Sequence, residues 1–245
     1  MTDTPAPVHR GECARYLDEL STLGGYFALP VHPDAQSQSL AGLFADDVVT
    51  DHVERTRDAI AASVGCPPER ISLRMAASSL QLGVAARLLS PAIGGALCLG
   101  AVPVLDQRSL RWVPGAGHAP QFTVPAPVWQ AVDPQTSAQV IAESVVPVLT
   151  ELGARLNALL SLSPRITSGN LTSAANGAVT VLALSRPEQE APGRALVRAL
   201  ASTEPLRGTG EFVDGRFRRR SCCLYYQAPR AGLCGDCVLI PDATP

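Results

Sequence analysis

Apolar residues recur at helical spacing along most of the chain, and at strand spacing only in its middle and near its end. From Gly11 to Leu23, Cys13, Tyr16, Leu17 and Leu20 predict a helix that stops at Gly24-Gly25. Val31 to Ser39 reads as polar loop. Asp46 to Val64 predicts an amphipathic helix through Val49, Val53, Ile60 and Val64, with two acids at its positive end and Gly65, Pro67 and Pro68 as its stop. Glu69 to Leu89 predicts a second, apolar at Leu73, Ala76, Ala77, Leu80, Val84 and Leu88. Ser90-Pro91 is expected to break it, with a shorter buried helix following through Leu99. The uncharged run from Leu88 to Leu105 is about as long as a membrane span. Ser90, Pro91, Gly94, Gly95, Gly100 and Pro103 dilute it, and it is read as buried core.

The middle of the chain changes period. Ser109 to Val113 and Gln121 to Val124 are short and rich in Trp, Val and Phe, and they predict a strand pair with Val128 to Val132 as a third strand. Thr136 to Leu162 then carries the clearest helical period, from Ile141 through Leu160, with a kink expected at Pro147. Ser168 to Leu184 and Arg194 to Ala201 complete the helices. Glu211 to Val213, Asp214-Gly215 and Arg216 to Arg220 form a hairpin signal, because Asp-Gly suits the tight turns that match strand twist. The expected fold is α+β: a predominantly helical body over residues 1–207 with a small antiparallel sheet, and a C-terminal cysteine-rich segment over 208–245.

At 245 residues with 46% hydrophobic content, the chain can bury a large core without disulfides. The net charge of −2 gives no bulk positive field for nucleic acid. All 20 basic residues are Arg, which with the abundant Ala points to codon usage rather than to a binding property. Met1 to Asp18 lacks the apolar core of a secretory signal, so a cytoplasmic protein without stable membrane insertion is expected.

The seven cysteines change the picture. Cys13, Cys66 and Cys98 are isolated and read as small buried hydrophobes. Cys222, Cys223, Cys234 and Cys237 form a C-C-x10-C-x2-C pattern. Thiolates are the preferred soft ligands of tetrahedral metals and iron–sulfur clusters. Cys234-Gly-Asp-Cys237 is an ordinary metal knuckle. The adjacent pair is unusual, since neighbours on a strand point to opposite faces, and Cys222 and Cys223 must leave the strand to share a site. Structural zinc usually takes two C-x2-C knuckles, whereas the wider cage of a two-iron cluster tolerates such a pair more readily. A [2Fe–2S] cluster, structural zinc, and disulfides or free thiols are the three readings. Arg218, Arg219 and Arg220 either steer an anionic donor or siderophore, or form a solvated strand with the middle Arg turned the other way. Trp112 and Trp129 read as core, and Tyr225 and Tyr226 as packing in the tail. His9, His32, His52 and His118 make no metal spacing, and no Gly-rich phosphate loop is present.

The C-C-x10-C-x2-C ending, preceded by basic residues and containing Cys-Gly-Asp-Cys, resembles the FhuF-type ferric-siderophore reductases. Arg87-Leu-Leu-Ser-Pro91 and Gly100-Ala-Val-Pro103 are similar to the actinobacterial branch. Ser168-Gly169-Asn170 is similar to the family's Trp-Gly/Ser-Asn element, with Ser168 where Trp is expected. The resemblance implies a [2Fe–2S] cluster held by Cys222, Cys223, Cys234 and Cys237. It further implies an oxidoreductase that passes one electron to siderophore-bound Fe³⁺ and releases Fe²⁺. Its partners would be a ferric siderophore, hydroxamate complexes among the candidates, and an electron donor such as a ferredoxin or flavin reductase. No catalytic residue beyond the cluster ligands is expected. The alternative is a non-enzymatic electron carrier, or a binding protein that senses iron or siderophore.

Overall fold

Asp46 and Asp47 sit in the first turn of a 19-residue helix, and Gly65 closes it, in the computed structural model, which describes residues 10–31, 37–115 and 117–240. Among the described residues the α-helices are α1 (Arg10–Thr22), α2 (Leu40–Leu43), α3 (Asp46–Val64), α4 (Leu73–Leu99), α5 (Ser137–Leu160), α6 (Pro164–Ser185) and α7 (Glu190–Leu200). The strands are β1 (Gln38–Ser39), β2 (Ala101–Pro103), β3 (Arg111–Val113), β4 (Gln121–Thr123), β5 (Trp129–Ala131), β6 (Gly210–Val213) and β7 (Arg216–Arg219). All pairings are antiparallel. The fold is α+β with a predominantly helical body, as expected. His9, His32 and most of the loop expected at Val31 to Ser39 lie outside the described residues.

Helix α4 is the axis of the body and packs against α3, α5 and α6. The break expected at Ser90-Pro91 does not occur. Ser72 caps the helix by accepting from the Met75 amide, and α4 then runs unbroken through Pro91 to Leu99. Leu88, Leu89, Ala92 and Ile93 are all buried around the proline. A core helix surrounded by packing gains enough from burial to outweigh a missing hydrogen bond, about 3 kcal/mol in an exposed helix. The same burial resolves the apolar run. Helix α4 is long and apolar enough to cross a membrane, yet 56% of its most apolar window is buried inside the fold.

Among the described residues, two small sheets replace the single one expected in the middle of the chain, and the expected C-terminal hairpin forms a third. The predicted β3–β4 pair forms, with Trp112 opposite Phe122, and β1 adds at its edge through Gln38 opposite Trp112. The third predicted strand forms but pairs with β2 instead, Trp129 opposite Pro103. Burial decides that pairing: Trp129 is 1% exposed and meets Tyr16 edge-on at 5.1 Å in a small core beneath α1. Both tryptophans are core residues. The C-terminal hairpin β6–β7 pairs Val213 with Arg216 across Asp214 (φ 49°) and Gly215 (φ 79°), the positive φ values its tight turn requires.

His52 on α3 is buried, its Nδ1 3.3 Å from the His118 carbonyl oxygen and its ring edge-on to Trp112. Burial lowers its pKa from 6.5, and nearby Arg55 adds to that, while the His118 carbonyl and Asp51 oppose it. The unfolded chain therefore binds a proton that the folded chain resists, and the His52 contribution, full above pH 6.5, is lost as pH falls below it. Thermal melts at pH 7 and pH 5 should show a larger loss for the wild type than for His52→Gln. Equal losses would contradict this.

Candidate metal centre

Strand β7 ends at Arg219, and its alternation sets the direction of each arginine. Phe217 and Arg219 face inward, whereas Arg216, Arg218 and Arg220 lie on the outer face. The expectation that all three tail arginines steer a partner is therefore corrected for Arg219, whose side chain is fully buried. Strand period 2 turns the middle residue away from its neighbours, the alternative arrangement the sequence allowed.

Arg219 instead organises the site. Its Nη2 donates to the Gly169 carbonyl at 3.1 Å and to Asn170 Oδ1 at 2.9 Å. Asn170, itself fully buried on α6, donates through Nδ2 to Ser78 O and Oγ on α4, each at 3.1 Å. On its other side Arg219 Nε lies 3.7 Å from Asp236 Oδ2, and the Arg219 amide donates to the Asp236 carbonyl at 3.0 Å. A buried polar chain thus links α4, α6, β7 and the Cys234–Cys237 knuckle. Asp236 is the residue inside that knuckle, and only its place between two cysteines could have singled it out in sequence. Gly169 permits the arrangement by its size, because a Cβ there would overlap the Ser221 hydroxyl.

Cys222 and Cys223 follow β7 and lie outside the strand. Leu224 then takes a left-handed conformation, φ 69°, that turns the chain into the short Tyr225–Gln227 helix. Its amide donates to Cys222 Sγ at 3.3 Å, and the Leu239 amide donates to Cys237 Sγ at 3.4 Å. Cys237 N–H closes the knuckle onto the Cys234 carbonyl at 3.1 Å. The segment is held to the body at two further points. Arg230 donates to the Val64 and Gly65 carbonyls at the end of α3. Leu224, Tyr225 and Ala228 pack with Ile60, Ile71 and Met75. Arg218 donates to the Val238 and Ile240 carbonyls, at 3.1 and 2.8 Å, bracing the chain beyond the knuckle.

Cys223 and Cys237 are buried, Cys222 and Cys234 partly exposed. Cys223 Sγ lies 3.7 Å from Cys234 Sγ. That shared hydrogen bond, helped by the Tyr225 amide and Arg219 against the effect of burial, lowers the Cys223 thiol to about 6. The same bond and burial push Cys234 up, and burial pushes Cys222 up. The 3.7 Å separation matches the edge of a thiolate tetrahedron, about 3.8 Å for metal–sulfur bonds near 2.3 Å. Yet among the described residues no three His, Cys, Asp or Glu side chains converge as one ion would need. A two-iron cluster asks less of the protein, two thiolates per iron, with its own sulfides completing each tetrahedron. The donor set fits that group.

Around Ser221 a second feature comes into view. A cleft of about 360 Å³ opens there, lined by Arg165, Ser168, Arg207, Gly208, Arg220 and Ser221 among others, Ser221 being the residue before Cys222. Arg220 pairs with Glu211 at 2.8 Å across the hairpin, and Arg207 with Glu204 at 2.8 Å. No sequence spacing signals this cleft, because its walls come from three separate segments.

No curated protein matches the chain. Residues 219–239 match the family model described as the FhuF 2Fe-2S C-terminal domain, a span that contains all four clustered cysteines, Arg219 and Asp236. Its cofactor is a [2Fe–2S] cluster, and the chain is an iron–sulfur redox protein that carries a FhuF-type C-terminal domain on a helical body.

Proposed function

We propose that the chain is a cytoplasmic ferric-siderophore reductase in which Cys222, Cys223, Cys234 and Cys237 are the cluster ligands. The observation that carries the reading is the FhuF-type segment with its four clustered cysteines, two of them, Cys223 and Cys234, 3.7 Å apart. Cys223 and Cys234 would bind the cluster together with Cys222 and Cys237. The bound cluster supplies a single transferable electron. The protein's residues supply the rest. The Leu224 and Leu239 amides donate to thiolate sulfur and stabilise its charge, and buried Arg219 adds a fixed positive charge nearby. Cys222 and Cys234 form the partly exposed side, where a partner can approach.

The substrate's chemistry makes one electron sufficient. Siderophore oxygen donors bind Fe³⁺ tightly and Fe²⁺ far less, so reduction releases the metal and leaves the ligand intact. The helical body over residues 1–207 serves docking, and residues 208–245 hold the cluster. An external donor of the ferredoxin or flavin-reductase kind would restore the reduced state.

Anaerobic protein reduced with dithionite and freed of excess reductant should be reoxidised by a ferric siderophore, with a ferrous chelator trapping one iron per electron. If the reduced, intact protein transfers no electron to any of several hydroxamate and catecholate complexes, the reductase reading fails and an electron carrier or sensor takes its place.

A further inference from the structure

We infer that the arginine cleft between the start of α6, the segment before β6 and the end of β7 is the docking site for an anionic ferric siderophore, of catecholate or carboxylate type. The inference rests on the reductase reading and narrows its substrate class.

Three guanidinium groups, from Arg165, Arg207 and Arg220, border one concave site of about 360 Å³. Arg207 and Arg220 have acidic partners, but both pairs are exposed, with Glu204 at 74% and Glu211 at 43% side-chain exposure. Exposed pairs of this kind contribute little and exchange readily for a multivalent anion. Arg165 has no ion pair among the described residues. It also stands in the first turn of α6, which contains no acid, and no side chain caps the helix at Ser163. A positive charge at the positive end of a 22-residue helix is unfavourable by itself, and becomes favourable once an anion binds there. Guanidinium forks suit the paired oxygens of carboxylates and catecholates.

Position supplies the second argument. Arg220 and Ser221 line the cleft and immediately precede Cys222, a partly exposed thiol. The cleft wall thus runs directly, along the chain, into the first of the clustered cysteines. Ser168 and Gly208 are small and leave the cleft open, which a flat protein docking surface does not require. The volume admits one arm or face of a ferric complex and leaves the rest in solvent. A ferric tris-catecholate is a trianion, whereas a ferric trihydroxamate is neutral, so the cleft discriminates between the two classes.

Gallium(III) complexes test the site without redox chemistry. Calorimetry on the cluster-loaded, oxidised protein should show the gallium tris-catecholate binding at least about tenfold more tightly than the neutral gallium trihydroxamate. The triple variant Arg165→Gln, Arg207→Gln, Arg220→Gln should lose about that tenfold while keeping its cluster absorption, and added salt should erase the difference. Arg165→Glu alone should weaken binding in the same direction if the triple variant does not fold. Equal affinity of wild type and variants for the trianion overturns the assignment, as does equal affinity of the wild type for both complexes. So does a variant that binds gallium complexes normally but accepts electrons poorly from an acidic ferredoxin, since the cleft would then be a donor surface. Binding lost in the variants while the wild type reduces no ferric complex supports the cleft and removes the reductase reading. Reduction that proceeds alike in wild type and triple variant, with unchanged gallium binding, removes the cleft alone.

Discussion

Cys234→Ser should yield a protein without visible colour and with little iron, whereas the anaerobically purified wild type should be red-brown with about two irons and two sulfides. Cys234 contributes half of the close thiol pair, 3.7 Å from Cys223. A serine hydroxyl is a harder, far more basic donor, and the remaining thiols do not converge on a single ion. Cys237→Ser should act alike, because Cys237 Sγ carries the Leu239 N–H bond that orients the knuckle. Cys13→Ser and Cys98→Ser are the controls; both thiols lie against the α1 side of the fold and should leave iron content unchanged. Helical circular dichroism should persist in all four variants, since the main core is built from the helices of the body. Colourless wild-type protein with stoichiometric zinc would refute the expectation, as would full iron retention in Cys234→Ser.

Arg219→Gln should be the most damaging substitution that touches no metal ligand. The Arg219 side chain is fully buried and that of Asp236 is 14% exposed, so removing the cation leaves a largely buried carboxylate without its partner. Breaking one side of such a pair costs about 3–5 kcal/mol. Asn170 Oδ1 and the Gly169 carbonyl lose a charge-assisted donor at the same time. In a urea titration of the loaded protein, visible absorption should disappear well before helical signal. Arg219 ties the knuckle to α6, and the helices hold one another independently of it. Arg219→Lys should fall between the two, keeping the charge but losing the fork that spans Asn170, Gly169 and Asp236. Coincident transitions for Arg219→Gln and wild type would show that the buried chain does not hold the tail.

The sequence by itself determined whatever depends on neighbours a few residues apart. Helix α3 follows from its two acids and Gly65, the hairpin from Asp214-Gly215, and the candidate donors of the centre from four cysteines in a short tail. In each case the physics is local: a helix dipole, a tight turn's φ requirement, thiol softness. Tertiary structure decided the rest. Pro91 stays inside α4 because distant helices bury both of its flanks, and β5 leaves the β3–β4 sheet because Trp129 is buried beneath α1. The sequence left the Arg218 to Arg220 run open between one steering patch and an alternating strand, and packing of β7 on the body buried only Arg219. Arg219 gains its meaning from distant partners, Gly169 and Asn170 some fifty residues earlier and Asp236 in the knuckle. The cleft joins Arg165, Arg207 and Arg220 from segments with no common spacing. Such juxtapositions are settled by the burial of α4 and α6 against each other, a long-range packing energy that no local pattern encodes.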